Sequence, residues 1–547
     1  MNLRIRATIA AATILLAPVG AAAQHEHDHG AAEKLGRVSF PVSCKAEVRE
    51  SFERGVALLH SFAYAKASQA FTDVAEKDPA CAMAQWGIAM SRFHAIWGPP
   101  PPAEFSAGKA AAAKAAAIPA TTDREKGYVA AIGAFYQGDD LPHAARVVNY
   151  EKAMAEVAAR HPQDHEAAIF HALAILAVAY NSPPDKTYAR QKQAAEILNG
   201  LLPLEPEHPG IAHYMIHSFD YPALAELALP AARAYAKIAP SAPHALHMPS
   251  HIFTRLGMWR ESIQSNLASA EAARKWAAQS HPGATAFDAL HAMDYLVYAY
   301  LQTGQDAKAR QVVDQVAKIG SLDSPELAAG YALAAIPARY ALERRSWKEA
   351  AAIEVPRGTF PWEKFSYAEA IIHFARAVGA ARAGDADASR AALQKLASIQ
   401  AALQGQKGFD WAAQVEIQRL SAAGWLARAQ GKDEEARQQL RSAAELEDRT
   451  DKHPVTPGSI LPAREQLADL LAELGQPAAA LAEYETSLRS APGRLNSIAG
   501  AARAAARAGE EKKAESFRRQ LTELCAGDLP PRAETRSSRA DTAPRSR

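Results

Sequence analysis

Two His-x-x-x-His pairs mark the chain, His213 with His217 and His247 with His251. Residues four apart share one face of a helix, and imidazole is a suitable donor for zinc and copper, so each pair can chelate from a single helix. The register recurs: His213 and His217 stand fifteen and eleven residues before Ala228, and His247 and His251 stand fifteen and eleven before Ser262. Parallel helices about 8–10 Å apart would bring both pairs to one ion held by bonds of roughly 2.0–2.1 Å. The four rings therefore read as the ligands of one divalent transition metal, zinc or copper. Asp220, Asp294, His244 and His291 are the auxiliary ligands or hydrogen-bond partners of that site. His244 and His291 share an offset of eighteen residues, before Ser262 and Ala309 respectively. With only three rings bound, the open position admits water and Asp294 becomes a candidate base, which would make the chain a metal-dependent enzyme. A plainer reading stands beside this one: neutral imidazole also packs in helical interfaces, and Pro209, Pro243 and Pro249 lie nearby.

Other chemistry is sparse. His60, His94 and His171 lack the shared register and read as core or interface residues; Trp86, Trp97, Trp259 and Trp276 read as wedges between helices. His25-Glu26-His27-Asp28-His29 could chelate loosely, with little selectivity. No phosphate loop, nucleophile elbow, metalloprotease helix or EF-hand motif occurs. There are three cysteines; Cys44 and Cys81 each precede one of two parallel helices and are expected to form a disulfide, leaving Cys525 over.

The elements that must position the histidines follow from two spacings. A glycine that ends one helix is followed five residues later by a small residue at a helix crossing, as in Gly257 with Ser262, Gly304 with Ala309, Gly384 with Ser389, Gly431 with Ala436, Gly475 with Ala480 and Gly509 with Ala514. Twelve residues beyond such a small residue a proline stops the helix, as at Pro79, Pro206, Pro240 and Pro492. With Ala194, Ala228 and Ser262 at 34-residue intervals, the chain resembles the tetratricopeptide repeat family, in an exported bacterial-type form. The resemblance implies an all-α superhelical solenoid whose concave groove is lined by the first helix of each repeat, where the histidine pairs fall. It also implies a binding platform for a peptide or partner protein more than an enzyme. Longer steps from Ser262 to Ala309 to Ala350, and Pro99 to Pro102, predict long helices or inserted loops.

Composition and termini set the remaining limits. The 547 residues exceed what one compact core accommodates, and 61 Lys+Arg against 60 Asp+Glu gives no basic field for nucleic acid. Residues 1–23 read as a signal peptide, too short in its apolar run to span a membrane, so a soluble periplasmic or secreted protein is expected. Residues 24–45 read as a disordered His-rich leader, 46–355 and 356–524 as two solenoid parts with a seam at Val355 to Trp362, and 525–547 as a disordered basic tail.

Overall fold

The computed structural model describes residues 33–119, 122–138, 140–356, 360–406 and 408–525. The expected signal peptide, the leader up to residue 32 and the tail beyond Cys525 lie outside the described residues. The described residues from Lys34 onward form one compact unit. It is an α-solenoid: helices follow one another in antiparallel pairs from Arg49–His60 to Glu511–Cys525, and no helix among the described residues is long and apolar enough to cross a membrane.

The pairing rests on the glycine and small-residue positions. Gly257, Gly304, Gly384, Gly431, Gly475 and Gly509 all adopt left-handed φ, between +69° and +88°, the conformation that ends a helix at little cost only when Cβ is absent. Their small partners Ser262, Ala309, Ser389, Ala436, Ala480 and Ala514 have no solvent exposure. Between successive pairs, an aromatic ring of the second helix fills the space left by a glycine on the first helix of the next pair. A Cβ on Gly87 would lie 2.4 Å from the Phe71 ring, and one on Gly500 would lie 2.2 Å from that of Tyr484. The long interval after Ser262 is taken up by the 22-residue helix Trp259–Ser280, and Pro102 opens the helix Pro102–Ala117.

Two expectations about domain limits are corrected. Residues 35–44 are packed, not disordered. Val38, Phe40, Val42 and Cys44 alternate along an extended segment, which turns all four to one side; Phe40 is 1% exposed and lies 5.4 Å from the rings of Phe52 and Trp86. The Arg37 N–H donates to Glu207 O at 3.0 Å. The seam at Val355 to Trp362 is no boundary either, because Phe360 and Trp362 are buried in a core that runs from Leu290 to Ala514, whereas the other large core spans Leu35 to Phe253. The change of core falls around helix Trp259–Ser280. There the chain closes on itself, with Trp259 Nε1–H donating to Gly493 O at 2.9 Å. Cys44 and Cys81 are disulfide-bonded, with Cα atoms 4.9 Å apart.

Candidate metal centre

The short helices Pro209–Phe219, Pro243–His247 and Pro249–Arg255 and the longer Phe287–Gln302 carry the histidines. Proline at the first helical position fixes φ without losing a bonded N–H, so three of these helices start at set points and aim their rings inward. All six rings are buried, from 0% exposed at His213 to 9% at His244.

The rings gather as two triads and not as one four-histidine site. His213, His217 and His244 form the first triad, and His247, His251 and His291 the second. In the first, His213 Nε2 is 3.0 Å from His217 Nε2 and 3.1 Å from His244 Nε2; in the second, His247 Nε2 and His251 Nε2 are 3.0 Å apart. Two nitrogens on one ion at about 2.0–2.1 Å lie roughly 2.9–3.4 Å apart for bond angles between right and tetrahedral. Each triad thus joins the His-x-x-x-His pair of one repeat to a ring of the next. His244 and His291, the residues with the shared offset of eighteen, are therefore full members and not auxiliaries. The pairs do not converge because each helix turns its two rings toward the following helix; the triads touch through His244 and His247, whose ring centroids are 6.3 Å apart.

Proton placement separates the second triad from ordinary hydrogen-bonded histidines and fixes one ring of the first. His213 Nδ1–H donates to His60 O at 2.6 Å, so its Nε2 is a lone pair. That single lone pair faces both His217 and His244. His247 Nδ1–H donates to Asn266 Oδ1 at 2.6 Å, and the amide is oriented by Asn266 Nδ2–H donating to Ser262 O at 2.7 Å. His251 Nδ1–H donates to Asp220 Oδ2 at 3.0 Å. The Nε2 atoms of His247 and His251 are then both lone pairs, facing each other 3.0 Å apart. The Tyr295 hydroxyl is 3.3 Å from His251 Nε2, but its one proton also has Pro454 O and Thr456 O within 3.3 Å, and it leaves His247 unmatched. Burial holds His213, His217, His244, His247 and His291 well below the usual imidazole value, with neighbouring imidazoles adding to the effect. A proton is a poor bridge in such a place, whereas a metal ion needs the Nδ1-protonated, Nε2-open tautomer that His213, His247 and His251 hold.

A third buried group, His60, Glu166 and His208, is of another kind. Gly210 N–H donates to His208 Nδ1 at 3.1 Å, which leaves His208 Nε2–H to donate to Glu166 Oε1 at 2.9 Å. His60 Nε2–H donates to Glu166 Oε2 at 2.9 Å, and its Nδ1 lies 2.9 Å from Tyr214 OH. Burial opposes ionisation of Glu166, yet His208 and His60 outweigh it and hold the carboxyl well below the usual range. No lone pairs converge there; the network fixes His60, whose carbonyl fixes His213.

Asp220 holds His251 and is itself held by Arg255 Nε at 2.8 Å and Lys452 Nζ at 3.6 Å. Asp294 belongs elsewhere: it pairs with Arg339 Nε at 2.9 Å, and Arg339 grips Thr456 Oγ1, Gly458 O and Ser459 O at 2.7–2.9 Å. This spends Asp294 on anchoring segment 450–462, which covers the second triad. The sequence reading passed over Asn266, Tyr295 and Phe62. Phe62 sits at φ +54°, uncommon for a bulky residue, with its ring 4.3 Å from His213; its place two residues after His60 carries no signal of that contact.

No family model matches the sequence, and no curated protein matches it. Among solved structures, the human IFIT1 dimer with m7Gppp-AAAA aligns at 12% identity and TM-score 0.36, covering 82% of this chain and 90% of that one. Yeast Tom70 aligns at 11% and 0.32, covering 87% and 99%. The Cut9-Hcn1 hetero-tetramer of the APC/C aligns at 10% and 0.30, covering 89% of each chain.

Proposed function

We propose that the protein is an exported metal-binding solenoid that holds two transition-metal ions, zinc or copper, one in each histidine triad. The observation that carries this reading is the facing pair of lone pairs at His247 and His251, whose protons are committed to Asn266 and Asp220. One repeat earlier, His213 has its proton committed to His60 O and turns its Nε2 lone pair toward His217 and His244. The Cys44 to Cys81 disulfide suits an oxidising compartment. Burial of the six rings removes them from any role in gripping a peptide along the groove.

The test is elemental analysis of tag-free protein in which His25, His27 and His29 are replaced by alanine, so that the leader contributes no ligands. Two ions per chain are expected, one after His217→Ala or His251→Ala, and none when both are changed. No ion in the parent, or unchanged content in the double variant, would refute the reading. A second reading, a peptide- or protein-binding platform, is favoured by a half-buried aromatic set. Tyr367 stacks on Trp411 at 4.0 Å, and His453 lies 5.0 Å from Trp411 and 4.9 Å from Phe409. Trp411→Ala should then abolish capture of a purified partner without changing the metal content.

A further inference from the structure

We infer that both triads are copper sites filled as Cu(I) rather than zinc sites; this rests on the reading of the triads as metal centres. The first ground is the donor set. Each triad is three neutral imidazoles, and no carboxylate joins either group among the described residues. Zinc on three protein ligands takes water as its fourth, whereas Cu(I) is content with three, and rings no more than 9% exposed give solvent little approach. The nearby anions are already committed: Asp220 to His251, Arg255 and Lys452, and Asp294 to Arg339.

Charge is the second ground. Asp220 and Asp294 are matched by Arg255 and Arg339, Lys452 adds a further basic group beside Asp220, and the remaining carboxylate, Glu166, faces His60 and His208 and belongs to neither triad. The shell around the rings therefore offers no surplus negative charge. The cost of burying an ion grows with the square of its charge, so a dication costs about four times what a monocation does. Two dications in neighbouring triads, whose rings approach to 6.3 Å, would also repel about four times as strongly as two monocations. Imidazole serves zinc and copper alike, so the balance turns on charge and coordination number. The aromatic surround of Phe62, Tyr235 and Tyr295 adds apolar walls and no anion.

The experiment is an anaerobic titration of the apo-protein, with His25, His27 and His29 replaced by alanine. It is offered Cu(I) in competition with a chromophoric Cu(I) chelator, and Zn(II) in parallel. Two Cu(I) per chain are expected, with an X-ray absorption edge of three-coordinate cuprous nitrogen ligation, and a tenfold excess of Zn(II) should leave them in place. Binding of two Zn(II) that displace Cu(I) would overturn the copper assignment and leave the metal centres standing. Binding of neither metal would overturn both. His247→Gln should lower the Cu(I) count by one with the helical circular dichroism of the parent retained; an unchanged count would overturn the assignment of that triad.

Discussion

At the residue scale, the proposed metal sites depend on groups that would never touch the ion. Asp220 fixes the tautomer and tilt of His251, and loss of such an outer partner typically lowers metal affinity by about 10–100-fold. Asp220→Asn is therefore expected to weaken one of two sites by that factor and spare the other, seen as a split in a competition titration; equal weakening of both would contradict the separate-triad geometry. A titration prediction concerns His143, far from the triads. Burial and the adjacent Arg146 push its imidazole down to about 4, and its Nε2 lacks a partner. The folded state then binds the proton less readily than the unfolded chain does, so stability is full above pH 6.5 and falls as pH drops from there toward 4. His143→Leu should flatten part of that fall in urea midpoints measured across this range. The sequence displayed the histidine pairs and their shared register plainly. Their division into triads was present only as the matched offset of His244 and His291, because which ring crosses to which helix is set by helix rotation that spacing does not encode.

At the element scale, the repeat grammar was legible because it is local. A left-handed glycine and a small residue five positions later are each demanded by one turn and one crossing. The cost of violating it is correspondingly local: Gly500→Ala places a methyl against the Tyr484 ring, and overpacking of this kind costs about 1–3 kcal/mol, measurable by chemical denaturation. The packed segment 35–44 was missed because a ten-residue alternation beside a His-rich stretch reads as polar when averaged. Segment 450–462 was missed for another reason. Its anchors, Arg339 and Tyr295, lie more than a hundred residues away, and nothing in the loop itself announces them. Removing the Arg339 side chain leaves Asp294 buried and unpaired, which costs about 3–5 kcal/mol; Arg339→Ala should lower the denaturation midpoint accordingly, and Asp294→Asn added to it should recover part of the loss.

At the scale of the whole molecule, the chain departs from a solenoid whose repeats meet only their neighbours. Trp259 reaches Gly493 O, and a Cβ on Gly257 would lie 2.7 Å from Pro492 O, so the two large cores are tied across more than two hundred residues. Unfolding should therefore proceed as one transition when followed by both circular dichroism and tryptophan fluorescence; separate midpoints would show that this tie is weak. The same long reach bears on time. A chain that arrives amino terminus first presents all six triad histidines well before segment 450–462, whose Pro454 carbonyl lies 159 residues after the Tyr295 it receives. On the proposed reading, the second triad can fill while that cover is still missing and is shut in once it docks. The residence time of an ion in the second triad then belongs to the opening rate of a distant loop, and a chain trimmed of that loop would trade its metal quickly while keeping every ligand.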